Sequence, residues 1–293
     1  VFDRLRDDDY TLTATPPTDG RPHGVFSTRS PQRPNHLGLT VVRLLGRDGA
    51  TLRVSGVDML DGTPVVDIKP YLSKVPADQL TRGWLADAEA AKAAAHWANV
   101  YQTKAVTDVS WYAPHLDDSL QAITSLAGPD AAIIDVGGGA STLVDDLVSR
   151  GYGRVTVLDI ADAALAVSRG RLGAAADRVE WITGNIVTVD LGERRFDLWH
   201  DRAVFHFLTE AAHRAAYVDR LRRHLRPGGH AVISTFALDG PTKCSGLTIR
   251  QYDAASLSRE LGDGFAFVDA TPVVHRTPSG GEQRFVRCRF VRR

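Results

Sequence analysis

The chain has 293 residues, 35 basic and 35 acidic, for a formal net charge of zero. That length suggests two domains, and the zero balance supplies no global field to draw in nucleic acid. With two cysteines and no apolar run near the ~20 residues that span a bilayer, a disulfide scaffold and a membrane helix are set aside, and a cytoplasmic location is expected.

The first recognisable block is residues 24–40, Gly-Val-Phe-Ser-Thr-Arg-Ser-Pro-Gln-Arg-Pro-Asn-His-Leu-Gly-Leu-Thr. Residues 56–71 form a second, Gly-Val-Asp-Met-Leu-Asp-Gly-Thr-Pro-Val-Val-Asp-Ile-Lys-Pro-Tyr. Short apolar alternations at 52–54 and 65–68 sit between Pro, Gly and Asp turns, which predicts a small β-rich unit. Residues 76–99 are the join. Within them, the Ala-rich stretch 86–98 predicts an exposed or interdomain helix. Trp111 and Tyr112 follow, candidates for substrate contact or for core packing, and then a helix over about 117–126.

Residues 133–141 read Ile-Ile-Asp-Val-Gly-Gly-Gly-Ala-Ser, and 24 residues after Asp135 comes Asp159, closing a second apolar run. A strand entering a glycine turn that opens a helix, with the next strand ending in an acid, is the layout of a Rossmann-like nucleoside site. A dinucleotide fingerprint asks for a third glycine, and Thr142 stands there. Asp135, two residues before Gly137, would repel a pyrophosphate and attract an ammonium. Both departures favour S-adenosylmethionine (SAM) over NAD. Further strands are predicted at 179–183, 196–199 and 230–236, with a helix at 210–225 stopped by Pro227 and Gly228. Alternating strands and helices predict a parallel sheet with its ligand at the strands' C-terminal ends.

Residues 97–293 resemble the class I SAM-dependent methyltransferases, on Asp-Val-Gly-Gly-Gly at 135–139, Asp159, Gly-Asn-Ile at 184–186 and Leu-Arg-Pro-Gly-Gly at 225–229. The resemblance implies that Asp135, Gly137 and Gly139 hold the methionine part of SAM, that Asp159 binds ribose, and that Asn185 and Ile186 border adenine. It places His200, Asp201 and Arg202 beside the methyl group, and residues 265–274 and 284–291 in a terminal antiparallel hairpin. Residues 1–85 resemble the TsaA-like (TrmO) family, whose members include SAM-dependent tRNA N6-methyltransferases acting on threonylcarbamoyladenosine. That resemblance implies a small β-barrel, with Arg29, Arg33, Asn35, Asp61, Lys69 and Tyr71 as site candidates. The arginines suit phosphate or carboxylate, or the bracing of a tight loop. Only 23 residues precede Gly24 and the chain opens on Val1, so an incomplete barrel or a fragment is expected.

The expected architecture is therefore an α/β, Rossmann-like methyltransferase domain at 86–293 after a small β-barrel-like domain at 1–85. Expected chemistry is in-line displacement at the sulfonium methyl, with Asp201 or His206 as base where the acceptor carries a proton. Cys244, in a loop near the strand ends, is a candidate substrate contact; Cys288 is expected in the core, and His275 to be structural. The arginines at 214, 220, 222, 223 and 226 form a basic helical run, solvated or phosphate-binding. No metal-ligand spacing or phosphate loop occurs. A small-molecule acceptor leads, with tRNA as the alternative. A non-catalytic SAM-binding protein and an NAD-dependent oxidoreductase follow. Nothing in the sequence sets the oligomeric state.

Overall fold

The computed structural model describes residues 10–69 and 84–293, in two compact units, Val1–Lys92 and Ala93–Arg293. In the first unit, β1 (Thr13–Ala14) pairs antiparallel with β2 (His23–Gly24), and β3 (Arg43–Asp48) with β4 (Thr51–Ser55). The β-rich character holds. The barrel does not close: among the described residues these are two separate two-stranded sheets, and most of their side chains are exposed. Local alternation predicts strands, whereas closure needs long-range pairing that alternation does not specify.

The long helix α1 (Trp84–Thr103) contains the predicted 86–98 stretch, and α2 (Asp117–Leu126) follows. The second unit is built on nine further strands. They are β5 (Ile133–Val136), β6 (Val155–Asp159), β7 (Val179–Thr183), β8 (Phe196–Arg202), β9 (Leu225–Phe236), the short pair β10 (Lys243–Cys244) and β11 (Leu247–Thr248), then β12 (Phe265–Arg276) and β13 (Glu282–Arg292). The intervening helices are α3 (Leu143–Ser149), α4 (Asp162–Leu172), α5 (Ala211–His224) and α6 (Ala254–Leu261).

Seven strands form one sheet in the order β12-β13-β9-β8-β5-β6-β7. The five from β7 to β9 run parallel, and β13 and β12 close the edge as the expected antiparallel hairpin. Helices cover both faces, which explains why β5 and β6 read as unbroken apolar runs. Successive side chains point to opposite faces. Ile133, Val157 and Leu198 therefore join the cluster under α2, α3 and α4, while Ile134, Leu158 and Trp199 join the one under α5 and α6.

The strand order fixes the site. The chain moves from β5 to β6 and β7 on one side, then returns to β8 and β9 on the other. The order reverses between β5 and β8, and the crevice beyond the carboxyl ends of these two strands is where such sheets take their ligand.

Candidate functional site

Three consecutive glycines leave β5 and cross the crevice. Gly137 (φ +73°) and Gly139 (φ +46°) lie in the left-handed region that L side chains avoid. A Cβ on Gly137 would overlap the Val204 side chain just beyond β8. Gly138, which sequence reasoning did not single out, is as constrained: a Cβ there would lie 2.6 Å from both Asp135 Oδ2 and Val157 Cγ1. The loop is held from below by backbone and from the side by α4. Gly137 N–H donates to the Leu158 carbonyl (2.7 Å) and Ser168 Oγ to the Gly139 carbonyl (2.8 Å). Arg171 donates to the Ala140 and Ser141 carbonyls and pairs with Asp145.

Asp159 ends β6 beside this loop. A Cβ on Gly139 would sit 3.0 Å from Asp159 Oδ2 and 3.1 Å from the Tyr101 hydroxyl. The loop, the acid and the α1 tyrosine thus converge on one small space. Asp159 Oδ1 accepts the Ala161 N–H (2.8 Å). Burial pushes the Asp159 carboxyl up to about 7, helped by the charge of Asp135 and opposed by backbone hydrogen bonds. The same burial, with Asp159 nearby, raises the Tyr101 phenol.

Asp135 is buried, and its Oδ1 lies 2.7 Å from His200 Nδ1 on the adjacent parallel strand. The other ring nitrogen, His200 Nε2, is buried with no partner among the described residues. Asn185 closes a turn after β7, its Oδ1 accepting the Val187 N–H (2.9 Å). Ile186 belongs to the core under α5, so its contact with an adenine ring would be through the edge of that core.

The structure places both candidate bases in the core. Asp201 is fully buried, and its carboxylate is already surrounded by donors. Val204 N–H (2.9 Å), Phe205 N–H and the Tyr217 hydroxyl (2.7 Å) all donate to it. Burial pushes it up to about 6, against those hydrogen bonds. Asp201 pins the turn after β8. His206 is also fully buried; its Nδ1 accepts the Phe236 N–H (3.3 Å). Burial, with Arg202 adding to it, pushes its pKa down to about 3, so it is neutral at pH 7 and carries its proton on Nε2. That Nε2–H has no partner among the described residues.

The Asp201 network is measurable. The Tyr217 hydroxyl also accepts Trp199 Nε1–H (2.9 Å), so Tyr217→Phe leaves two buried groups short of a partner. The expected loss is about 2–3 kcal/mol of unfolding free energy in denaturant titration, at unchanged slope; a loss under about 0.5 kcal/mol would contradict this role.

The remaining candidates gather unevenly. Trp111 is half-buried and meets Trp97 and Tyr101 edge-on, with ring centroids 5.7 and 6.3 Å apart. Its carbonyl accepts Arg202 Nη1–H (3.3 Å). Tyr112 is half-buried next to it, closing a turn on Val109. Cys244 is buried on β10 against Phe236 and Phe285, and burial pushes its thiol up to about 11, so it is a protonated wall residue. Cys288 is in the core and His275 donates from Nε2 to the Ser110 carbonyl, as expected.

In the first unit, Arg33 Nε donates to Asn35 Oδ1 (2.8 Å), and its guanidinium lies over the Phe26 ring. Arg29 and Asp61 are exposed, and exposed Lys69 pairs with Asp67. No described hydrogen bond or ion pair joins these positions into one cluster, so Arg33 and Asn35 brace a loop here. Tyr71 lies outside the described residues. Among the described residues there is no group of three metal-ligating side chains, and no helix long and apolar enough to cross a membrane.

Residues 1–77 match the tRNA-methyltransferase O N-terminal domain, and residues 133–229, which contain the glycine loop, Asp159 and β8, match the methyltransferase domain family. Residues 1–77 are thus similar to a TrmO N-terminal domain, and residues 133–229 to a methyltransferase domain. A probable S-adenosyl-L-methionine-binding protein of Archaeoglobus fulgidus is 56% identical over 78 residues, 26% of this chain and 21% of that protein. The mouse tRNA (adenine(37)-N6)-methyltransferase is 48% identical over 80 residues, 27% of this chain and 19% of that protein. The chain thus spans about a fifth of the length of these relatives. The methyltransferase fold is also that of the Burkholderia thailandensis 1,6-didemethyltoxoflavin-N1-methyltransferase, with a TM-score of 0.52 at 21% identity over 77% of this chain and 93% of that one.

Proposed function

We propose that the chain transfers the methyl group of SAM to a small-molecule acceptor held at the carboxyl ends of β5 and β8. The observation that carries the reading is the convergence of the glycine loop, Asp159 and Tyr101 on one space that a single Cβ would fill. When bound there, SAM supplies the methyl: the acceptor's lone pair takes the carbon as the C–S bond breaks, and sulfur keeps the electron pair. In this reading Asp159 accepts the two ribose hydroxyls. Asp135, steadied by His200, faces the ammonium of the methionine part, and Trp111 and Tyr112 shape the acceptor's side. With Asp201 engaged and His206 neutral in the core, neither serves as the base in this reading. The acceptor atom therefore attacks with its lone pair free and sheds any proton to solvent afterwards. The protein's contribution is alignment and exclusion of water.

A small acceptor is favoured by what the basic run along α5 and the start of β9 does. Arg214 is buried against Glu260, and Arg220 donates to the Val189 carbonyl. Arg223 pairs with Asp219 and Arg226 with Asp197. Arginines spent on the protein's own groups leave few charges for a phosphate backbone. The tRNA alternative rests on the N-terminal match at residues 1–77. The same reading divides the chain into two domains near residue 85, and gives it a cytoplasmic location in keeping with two buried, unpaired cysteines.

Incubating the full chain with methyl-labelled SAM and either bulk tRNA or a small-metabolite pool tests the acceptor. Label is expected in the small-molecule fraction, and Arg33→Ala should leave that rate within about twofold, the scatter of a surface change distant from the chemistry. Label in tRNA that disappears at raised salt and in Arg33→Ala would establish the alternative instead.

A further inference from the structure

Arg202, the last residue of β8, makes no ion pair among the described residues; the carboxylates whose charge reaches it, Asp118 and Asp135, are paired with Arg287 and His200. The Arg202 guanidinium lies 5.1 Å over the Phe285 ring and makes one hydrogen bond, the 3.3 Å contact to the Trp111 carbonyl. No carboxylate of the described residues pairs with it, whereas buried Arg214 and half-buried Arg287 each have one, Glu260 and Asp118. A guanidinium has five N–H donors, so most of these are unused. Burial pulls Arg202 down to about 10, which leaves it charged at pH 7. A desolvated, unpaired cation is costly, and a fold keeps one where a ligand supplies the partner.

A second group points the same way. His206 Nε2–H is buried and has no partner among the described residues, although its ring is fixed by the Phe236 N–H and by edge contact with Phe207. His206 lies against Phe236 (4.6 Å), Phe236 meets Phe285 (4.6 Å), and Arg202 lies over Phe285, so the two idle donors flank one aromatic pair. Around them stand the half-buried rings of Trp111 and Phe207, each 5.2–5.7 Å from Trp97. The combination is a fork of N–H donors set in aromatic walls, which suits a planar oxyanion on an apolar body.

We propose that Arg202 and His206 anchor the acceptor by a carboxylate carried on an aromatic or similarly flat, apolar body. This rests on the methyltransferase reading above and names its acceptor class. The carboxylate is the handle and not the methylated atom, because its lone pairs are held by the guanidinium; the nucleophile is a different atom of the acceptor. The other anion that Arg202 could meet is the carboxylate of the cofactor itself, and the experiment separates the two.

The full chain, saturated with S-adenosylhomocysteine, is titrated calorimetrically with benzoate and with its neutral isostere benzamide. Benzoate is expected to bind about tenfold more tightly or better, the discrimination a desolvated charged hydrogen bond gives. Arg202→Met should abolish that preference, and Arg202→Lys should keep part of it, because lysine offers the charge without the fork. Both variants are titrated with S-adenosylhomocysteine and with 5′-methylthioadenosine, which lacks the amino acid. Unchanged affinity for both reports an intact cofactor site and supports the acceptor role. Equal or undetectable binding of benzoate and benzamide to the loaded wild type overturns the proposal. So does Arg202→Met if it weakens S-adenosylhomocysteine alone while 5′-methylthioadenosine is unaffected, since that assigns Arg202 to the cofactor's carboxylate. Failure of the wild type to bind S-adenosylhomocysteine at all overturns the methyltransferase reading instead, and the acceptor class with it.

Discussion

Gly137→Ala is expected to lower the affinity for S-adenosylhomocysteine by about 100-fold. The residue sits at φ +73°, where an L side chain costs about 1–2 kcal/mol by itself. The added methyl would also overlap Val204, and Val204 has little room to yield, because its N–H is tied to the buried Asp201 at 2.9 Å. The loop must therefore shift, and the loop is the wall of the site. Each 1.4 kcal/mol is tenfold in affinity, and strain plus overlap reach about twice that. Gly170→Ala is the control. Gly170 lies exposed within α4, has no atom within 4 Å of its would-be Cβ, and should gain about 0.5–1 kcal/mol of stability with cofactor affinity unchanged. Calorimetry reads affinity and thermal unfolding reads the fold; a Gly137→Ala protein that binds within about threefold of the wild type would contradict the site assignment.

The second large effect belongs to Asp159. Asp159→Ala removes the acceptor for two ribose hydroxyls and should cost about 2–3 kcal/mol of binding, the scale of hydrogen bonds to a charged group. Its raised pKa gives the interaction a pH signature. Only the ionised carboxylate accepts both hydroxyls, so affinity should climb as pH rises through about 7, by about tenfold between pH 6 and pH 8. The sign for stability is opposite. A carboxyl whose folded pKa lies above its ordinary value stabilises the unliganded fold at low pH, and that contribution is lost as pH rises through about 7. Bound ligand relieves this, so S-adenosylhomocysteine should raise the melting temperature more at pH 8 than at pH 6. Asp159→Asn should flatten both profiles; a pH-dependence that survives in it would place the titrating group elsewhere.

What could be read from the chain follows from how far apart the interacting residues lie. Asp135, Gly137, Gly139 and Asp159 are close in sequence, and one strand–turn–helix–strand unit brings them together, so spacing alone located them. The apolar runs at 133–136 and 155–158 announced strands covered on both faces. The partners of this loop were invisible because they come from other elements: His200 meets Asp135 across 65 residues, and Ser168 reaches Gly139 from α4 across 29. Gly138 was passed over because its constraint is a neighbour's proximity and not its own φ. Residue type alone marks Asp201 and His206 as candidate bases, while their protonation is set by burial, a tertiary property. The N-terminal strands were legible as alternations, but a barrel's closure is not written in any one strand.

Calorimetric titration of the full chain with S-adenosylhomocysteine and, separately, with NAD identifies the ligand of the crevice beyond β5 and β8. Saturable binding of S-adenosylhomocysteine at one site per chain is expected, weakened in Asp159→Ala and Gly137→Ala, with no heat from NAD. Tight binding of NAD with no response to S-adenosylhomocysteine would contradict the SAM assignment.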